Sequence, residues 1–283
     1  MIKKFKRGIA MAFGIFSTII AFIPDEIFSK ILIVNEECVK NCALLSWADP
    51  AGVNLTIIKV LVFVGIFIIS FILSCLIACI KKVNIKDDNY SIVIEYGDLL
   101  KKKNCQRVIN FDECYTTTVG TRTADIKKDT LCGQYLLQNP GLDIQKLIVQ
   151  SGVKPCKKKS EYKDSICYKP GTIVPNGDDL LMAFTKLESN GKSKKFTAEE
   201  YLNCLNLLWE EIDNNYNNKD VCIPVLGSGV QRFENGISQS LPQQELVDLI
   251  VSSYKLSPYK IKDKNTLHIV CRRRNDFSMD KVD

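Results

Sequence analysis

Nearly all the long apolar runs of the chain lie in its first eighty residues, and shorter runs alternating with polar positions fill the rest. Val60 to Ile80 is interrupted only by Ser70 and Ser74, with Lys59 before it and Lys81 and Lys82 after it. A bilayer core of about 30 Å takes about 20 helical residues, so this run predicts a transmembrane helix. Gly8 to Ile23 carries no charge and is shorter, and snorkelling of Lys6 and Arg7 brings it to bilayer length. The expected arrangement is a transmembrane hairpin over residues 1–85, with spans at about 8–24 and 58–80. A cleaved secretory signal shares the basic start, but Ala21-Phe22-Ile23-Pro24 is a poor cleavage site and the second span favours retention. Pro24 to Thr56 carries Asp25, Glu26, Glu36, Glu37 and Asp49 against Lys30 and Lys40, while basic residues flank the far ends of both spans. The positive-inside rule then predicts a multi-pass protein of the cell membrane with both termini cytoplasmic. Ile27 to Val34 reads as a short amphipathic segment at the outer interface.

After Lys82 the pattern turns to short β-branched strands and amphipathic helices. Tyr90 to Tyr96, Arg107 to Phe111, Val221 onward and Thr266 to Cys271 predict strands, the second followed by the threonine-rich Tyr115 to Thr118. Gly171 to Val174 and Leu180 to Thr185 predict a hairpin around Pro175-Asn176-Gly177. Helical spacing covers Asp143 to Ser151, Thr197 to Asn215 and Gln243 to Leu256, with Lys154 to Tyr168 turn-like between them. Thr197 with Glu200 fits a capping box. Leu246, Leu249, Ile250 and Tyr254 are expected to face inward from the last helix. The alternation predicts an α/β domain over residues 86–283, a mixed sheet with helices on both faces.

Length and charge refine this picture only slightly. The 283 residues suit the hairpin plus one domain of about 200 residues. The net charge of +6 comes in lysine clusters, Lys101 to Lys103, Lys157 to Lys159 and Lys192 to Lys195, read as solvated faces, with attraction of anionic lipid or phosphate as the alternative. Twelve cysteines without one Cys-x-x-Cys, and His268 alone among histidines, do not assemble a zinc set. Cys204, Cys222 and Cys271 read as buried apolar residues of a reducing compartment. Cys38 and Cys42 face the outer side in this topology, either bridged or as two free thiols. His268 reads as a packed strand residue.

Ligands of open α/β sheets bind outside the carboxyl ends of strands. Three predicted loops meet that condition, after Glu95, after Ile109 and after Leu226. The last is the strongest: Val221-Cys-Ile-Pro-Val-Leu-Gly-Ser-Gly-Val-Gln-Arg-Phe233 runs from a strand into a turn with Gly227 and Gly229. Glycines there allow positive φ and close approach of N–H groups to an anion, and Arg232 adds a planar cation. A fourth candidate, Thr130-Leu-Cys-Gly-Gln134, offers N–H groups at a helix start.

Together these loops resemble the macro domain, an ADP-ribose-binding module. Gly97-Asp98-Leu99-Leu100 is similar to the family's Gly-Asp-Ile-Thr, Arg107-Val-Ile-Asn110 to the start of its second loop, and Pro224-Val-Leu-Gly-Ser-Gly229 to its Pro-x-x-Gly-Thr-Gly loop. The two apolar spans, Cys132-Gly133-Gln134, and Leu226-Gly-Ser-Gly-Val-Gln-Arg-Phe233 before a Gln-Gln-Glu-Leu helix resemble the membrane-anchored macro-domain effectors of type II Thoeris antiphage systems. The resemblance implies a macro-like three-layer fold and no resident cofactor. It implies binding of an ADP-ribose derivative, histidine-ADP-ribose, released from NAD by a partner with a TIR domain. Oligomerisation, disruption of the bilayer and abortive infection would follow, with no nucleic-acid partner. It places Asp98 on the adenine, Asn110, Asp112 and Glu113 near the distal ribose, and Cys132, Gly133 and Gln134 with Leu226, Gly227, Ser228, Gly229, Val230, Gln231, Arg232 and Phe233 around the diphosphate. De-ADP-ribosylating members carry Asn-x-x-Asn and a glycine run, whereas this chain reads Asn110-Phe-Asp-Glu113 without the run. A signal-gated effector rather than an enzyme is therefore expected, with a membrane-tethered ADP-ribosyl hydrolase as the alternative. An inert macro fold serving only as an anchor would bind no nucleotide tightly. A fixed-pore channel is disfavoured, since neither span carries intramembrane charge.

Overall fold

The computed structural model describes residues 10, 13–18, 49–77, 82–229, 231–234, 241–262 and 264–282. The chain divides into two compact units, Met1–Ile80 and Lys81–Asp283.

In the first unit, residues 13–18 are helical and α1 spans Pro50–Ile77. The helix begins eight residues before the expected span because Asp49 caps it, its carboxylate accepting from Gly52 N–H at 3.0 Å. Pro50 stands at the first helical position, where a missing N–H breaks no bond. Ala51–Ile72 is long and apolar enough to cross a membrane, by length and composition. Val60, Leu61, Val64, Ile68, Ile69 and Ile72 all present exposed apolar side chains. Hydroxyls within the helices bond the preceding turn, Ser17 to the Phe13 carbonyl and Thr56 to the Gly52 carbonyl, which satisfies them without water. Ser70 is buried. The rings of Phe13 and Phe16 meet that of Phe63 at 5.2 and 5.0 Å between centroids. The rest of the first expected span lies outside the described residues, as do the connecting loop with Cys38 and Cys42, the Ile27 to Val34 segment and the Ser74 side chain.

The second unit is built on a seven-stranded sheet. Its strands are β1 Lys82–Asp87, β2 Tyr90–Tyr96, β3 Cys105–Asp112, β4 Ile173–Asn176, β5 Asp179–Thr185, β6 Asp220–Pro224 and β7 Leu267–Cys271. The order is β1-β2-β7-β6-β3-β5-β4. The five inner strands are parallel, and each edge strand, β1 and β4, pairs antiparallel with its neighbour. The expected boundary at residue 86 would cut β1, and the unit begins at Lys81 instead. β1 escapes the periodicity argument because Lys-Val-Asn-Ile-Lys-Asp reads as a polar linker. Only Val83 and Ile85 pack inward.

The helices α2 Leu131–Gln138, α3 Ile144–Ser151, α4 Ala198–Asn215 and α5 Gln243–Leu256 divide between the two faces. Strand alternation sets the division. Leu180, Met182 and Phe184 of β5 join Tyr201, Leu208, Trp209 and Ile250 on one side, while Leu181 and Ala183 join Tyr135, Ile144 and Ile148 on the other. Thr197 and Glu200 form the expected capping box at the start of α4. In α5, Leu246, Ile250 and Tyr254 are buried, Leu249 only partly, and Val247 and Val251 join them. Gly177, with φ at +62°, turns the β4–β5 hairpin. The eight cysteines from Cys105 to Cys271 are free thiols, and no cluster of ligating side chains fit for a metal occurs among the described residues. His268 sits on β7 with Nδ1 2.7 Å from Glu95 Oε1 and Nε2 3.6 Å from Asp220 Oδ2, so it is held by carboxylates rather than by apolar packing alone.

Candidate functional site

The carboxyl ends of the five parallel strands open onto one cavity of about 850 Å³. In sheet order its rim carries Gly97 and Asp98 after β2, Arg272 and Arg274 after β7, and Gly227, Ser228 and Gly229 after β6. Asn110 and Asp112 follow at the end of β3, then Thr185 and Leu187 after β5. Thr123 to Asp129 and the turn Gly191-Lys192-Ser193 close the far side. Those two rim segments are in contact: a Cβ on Gly191, whose φ is +78°, would lie 2.4 Å from the Ala124 Cβ and 3.1 Å from the Tyr162 ring.

The β6 turn is built by Gly227 at φ +84°, a value L side chains adopt with strain. A Cβ there would meet Phe233 at 3.0 Å and Leu246 at 3.3 Å. Ser228 N–H closes the turn on the Val225 carbonyl at 3.2 Å. A Cβ on Gly229, by contrast, would find no atom of the described residues within 4 Å.

Of the residues singled out from the sequence, Asp98, Asn110, Asp112, Cys132, Gln134, Gly227, Ser228, Gly229, Gln231 and Arg232 line the cavity. Glu113, Gly133, Leu226 and Phe233 do not, and Val230 lies outside the described residues. Each of the four has an internal role. Glu113 is buried, its Oε1 accepting from the Ser160 hydroxyl at 2.5 Å and from Leu187 N–H at 3.1 Å. Gly133 donates its N–H to the Thr130 hydroxyl that caps α2, and a Cβ on it would stand 2.2 Å from the Lys127 carbonyl oxygen. Gln134 N–H donates to the Thr130 carbonyl. The two amides at the α2 start that pointed to an anion are thus engaged in the helix cap. Leu226 is buried with its carbonyl accepting from Tyr201 Oη, and Phe233 packs edge-on to Tyr201 at 5.3 Å.

Several cavity-lining groups are also tied to their own chain. Gln231 donates to the Lys194 and Arg232 carbonyls at 2.8 and 3.0 Å and accepts from Ser193 Oγ. Arg232 donates to the Ser193 carbonyl at 2.6 Å and lies 3.5 Å from Glu188. Asp112 accepts from Cys114 N–H at 2.9 Å and from the Thr116 N–H and hydroxyl. Burial pushes the Asp112 carboxyl up, and the Thr116 and Cys114 hydrogen bonds oppose that. Burial, then the neighbouring Asp112, holds the Cys132 thiol well above its ordinary range. Asp98 is nearly half exposed and caps a short 3-10 turn through Leu100 N–H at 3.1 Å.

Sequence reasoning missed Gln243, Arg272 and Arg274 on this rim. Arg272-Arg273-Arg274 directly after the closing strand was the available signal. Gln243 is buried at the start of α5, donates to the Arg272 carbonyl at 2.9 Å, and leaves Oε1 without a hydrogen-bond partner among the described residues.

A mixed sheet with a parallel centre, helices on both faces and a crevice across the strand ends makes this a macro-type α/β protein. Residues 92–272 match the family model described as Thoeris protein ThsA, Macro domain, and the chain belongs to that family. The Thoeris protein ThsA of Bacillus amyloliquefaciens (strain Y2) is 26% identical over 181 residues, which cover 61% of this chain and 59% of that relative. The chain thus aligns with well under two thirds of that relative's length. Among solved structures, a mutant Oceanobacillus iheyensis macrodomain with ADPR aligns at a TM-score of 0.43 and 10% identity, over 69% of this chain and 92% of that one. The macrodomain of Thermus aquaticus DarG aligns at 0.36 and 14% identity, over 64% and 97%.

Proposed function

We propose that this chain is a membrane-bound receptor and effector of antiphage defence, gated by an ADP-ribose-type signal. The observation that carries the reading is the unfilled space at Gly229. The residue needs no positive φ and its missing Cβ clears no neighbour among the described residues, so none of them requires its smallness; beside a cavity it admits a guest. The diphosphate sits on the Gly227–Gly229 turn and Asp98 accepts the adenine amino group. The cavity crosses five parallel strand ends, roughly 19 Å at about 4.8 Å per interval, a span suited to a dinucleotide-sized ligand. The signal we favour is histidine-ADP-ribose made by a TIR-domain protein that consumes NAD.

Binding changes an assembly only if one state binds the ligand more tightly. Here the ligand favours an oligomer in which several apolar hairpins meet in the bilayer and perturb it. The Phe13, Phe16 and Phe63 ring contacts support a two-helix hairpin, and Ala51–Ile72 supports at least one span. Hydrolysis gains nothing from Glu113, whose carboxylate is held by Ser160 and Leu187. The test is calorimetric titration of the full chain in detergent with ADP-ribose and histidine-ADP-ribose. Dissociation constants of about 10 µM or tighter are expected for at least one, and no binding at roughly 1 mM of either removes the proposal. Signal-triggered dye release from vesicles holding the chain tests the membrane step.

A further inference from the structure

Among the rim loops, the one after β7 carries three consecutive arginines, Arg272, Arg273 and Arg274. Successive residues of an extended segment point to opposite sides, and the three divide accordingly. Arg273 lies over the Tyr96 ring at 4.7 Å, while Arg272 and Arg274 line the cavity. Both are exposed, and neither has an ion-pair partner among the described residues. Of the three other cavity cations, Lys127, Lys192 and Arg232, two are engaged: Arg232 with the Ser193 carbonyl and Glu188, Lys127 with the Thr121 and Arg122 carbonyls. The backbone of the arginine loop is anchored, since Gln243 donates from its side chain to the Arg272 carbonyl and from its N–H to Asp276 at 3.0 Å. Two permanent charges are therefore held at one place on the rim with no ion-pair partner among the described residues.

Their place in the sheet says what they meet. β7 lies between β2 and β6, so the pair stands one strand interval, about 5 Å, from the glycine turn and on the side of Asp98. With a diphosphate on the glycine turn, the next part of an ADP-ribose-type ligand on that side is a ribose. An unmodified ribose offers only neutral hydroxyls. A phosphate monoester offers a charge of about −2 and three acceptor oxygens, which suit paired guanidiniums. Arginine plays this part toward 2′-phosphates in dinucleotide-binding folds. The cavity, at about 850 Å³, is toward the upper end of the roughly 300–1,000 Å³ usual for small-molecule sites and leaves room for the added group.

We propose that Arg272 and Arg274 form a subsite for a phosphate on the adenosine ribose, so that the chain binds the 2′-phosphorylated form of an ADP-ribose-type nucleotide, the product class of a phosphorylated nicotinamide dinucleotide, more tightly than the unphosphorylated form that NAD itself supplies. This rests on the reading that the glycine turn holds the diphosphate and Asp98 the adenine. The experiment titrates the full chain in detergent with ADP-ribose and with 2′-phospho-ADP-ribose and reads the ratio of affinities. The phosphorylated ligand is expected to bind about tenfold tighter, with the ratio falling to about one in the double variant Arg272→Gln, Arg274→Gln. In Arg273→Gln the ratio is expected to hold. Equal affinities in the unmodified chain overturn the subsite while leaving the ADP-ribose reading intact. A ratio that survives the double variant, or falls as far in Arg273→Gln, overturns the assignment to these two residues. Binding of neither nucleotide overturns this inference, and the function it rests on falls with it when histidine-ADP-ribose also fails to bind.

Discussion

Two glycine-containing loops face the same cavity, and they hold their glycines for opposite reasons. In Thr130 to Gln134, Gly133 is small because the Lys127 carbonyl lies where a Cβ would go, and its N–H already serves the helix cap. In Gly227 to Gly229, the first glycine answers a backbone demand and the second answers none from the described residues. A glycine beside a pocket is therefore no sign of ligand contact until the volume its side chain would take has been assigned. When that volume belongs to the chain, substitution attacks stability. When it is open, substitution attacks binding.

The sharpest test of this contrast is Gly133→Ala. The added methyl must displace backbone at Lys127 and Lys128, a cost of roughly 3 kcal/mol by analogy with overpacked cores, and thermal unfolding should show a midpoint lower by about 6–12 °C. An unchanged midpoint would break the comparison. Glu113→Ala extends it to carboxylates: Ser160 and Leu187 lose their buried acceptor, and about 2 kcal/mol of stability should go. A Glu113→Ala chain as stable as the parent, but with weakened nucleotide binding, would move Glu113 back to the ligand. Gly229→Ala should leave stability within about 0.5 kcal/mol and weaken ADP-ribose roughly tenfold, about 1.4 kcal/mol; calorimetry beside a thermal scan separates the two.

The smallest expected effect is acid sensitivity at Glu95. Burial alone would raise its carboxyl, but Lys102 at 2.6 Å and His268 at 2.7 Å outweigh burial, and the folded value lies below the usual 4.5. A depressed folded pKa gives stability that is complete above about pH 4.5 and fades as pH falls through the folded value. Lys102→Met should therefore flatten the stability–pH curve below pH 4.5. Parallel curves for the two proteins would count against that account.

Much of the fold could be read from residue order because strand alternation and helix caps are local. Leu180 to Phe184 shows its two faces in five residues, and Thr197 with Glu200 marks the start of α4. β1 was missed because only two of its six side chains face a core. At the site, Asp98, Asn110 and the β6 turn were legible as strand ends facing one side of a sheet. What could not be read was which polar side chains were already engaged. Gln231 finds its acceptor 37 residues away, and Glu113 its donors 47 and 74 residues away. Such partners are set by the route of loops across the sheet, which periodicity does not encode.

The contact of Gly191 with Ala124 leaves no slack between the turn after β5 and the segment after β3. Those two stretches behave as one bracket, and the doorway on that side has a gauge fixed by a hydrogen atom where any other residue would place carbon. A guest pressing on the Gly191 turn pushes against Ala124 as well.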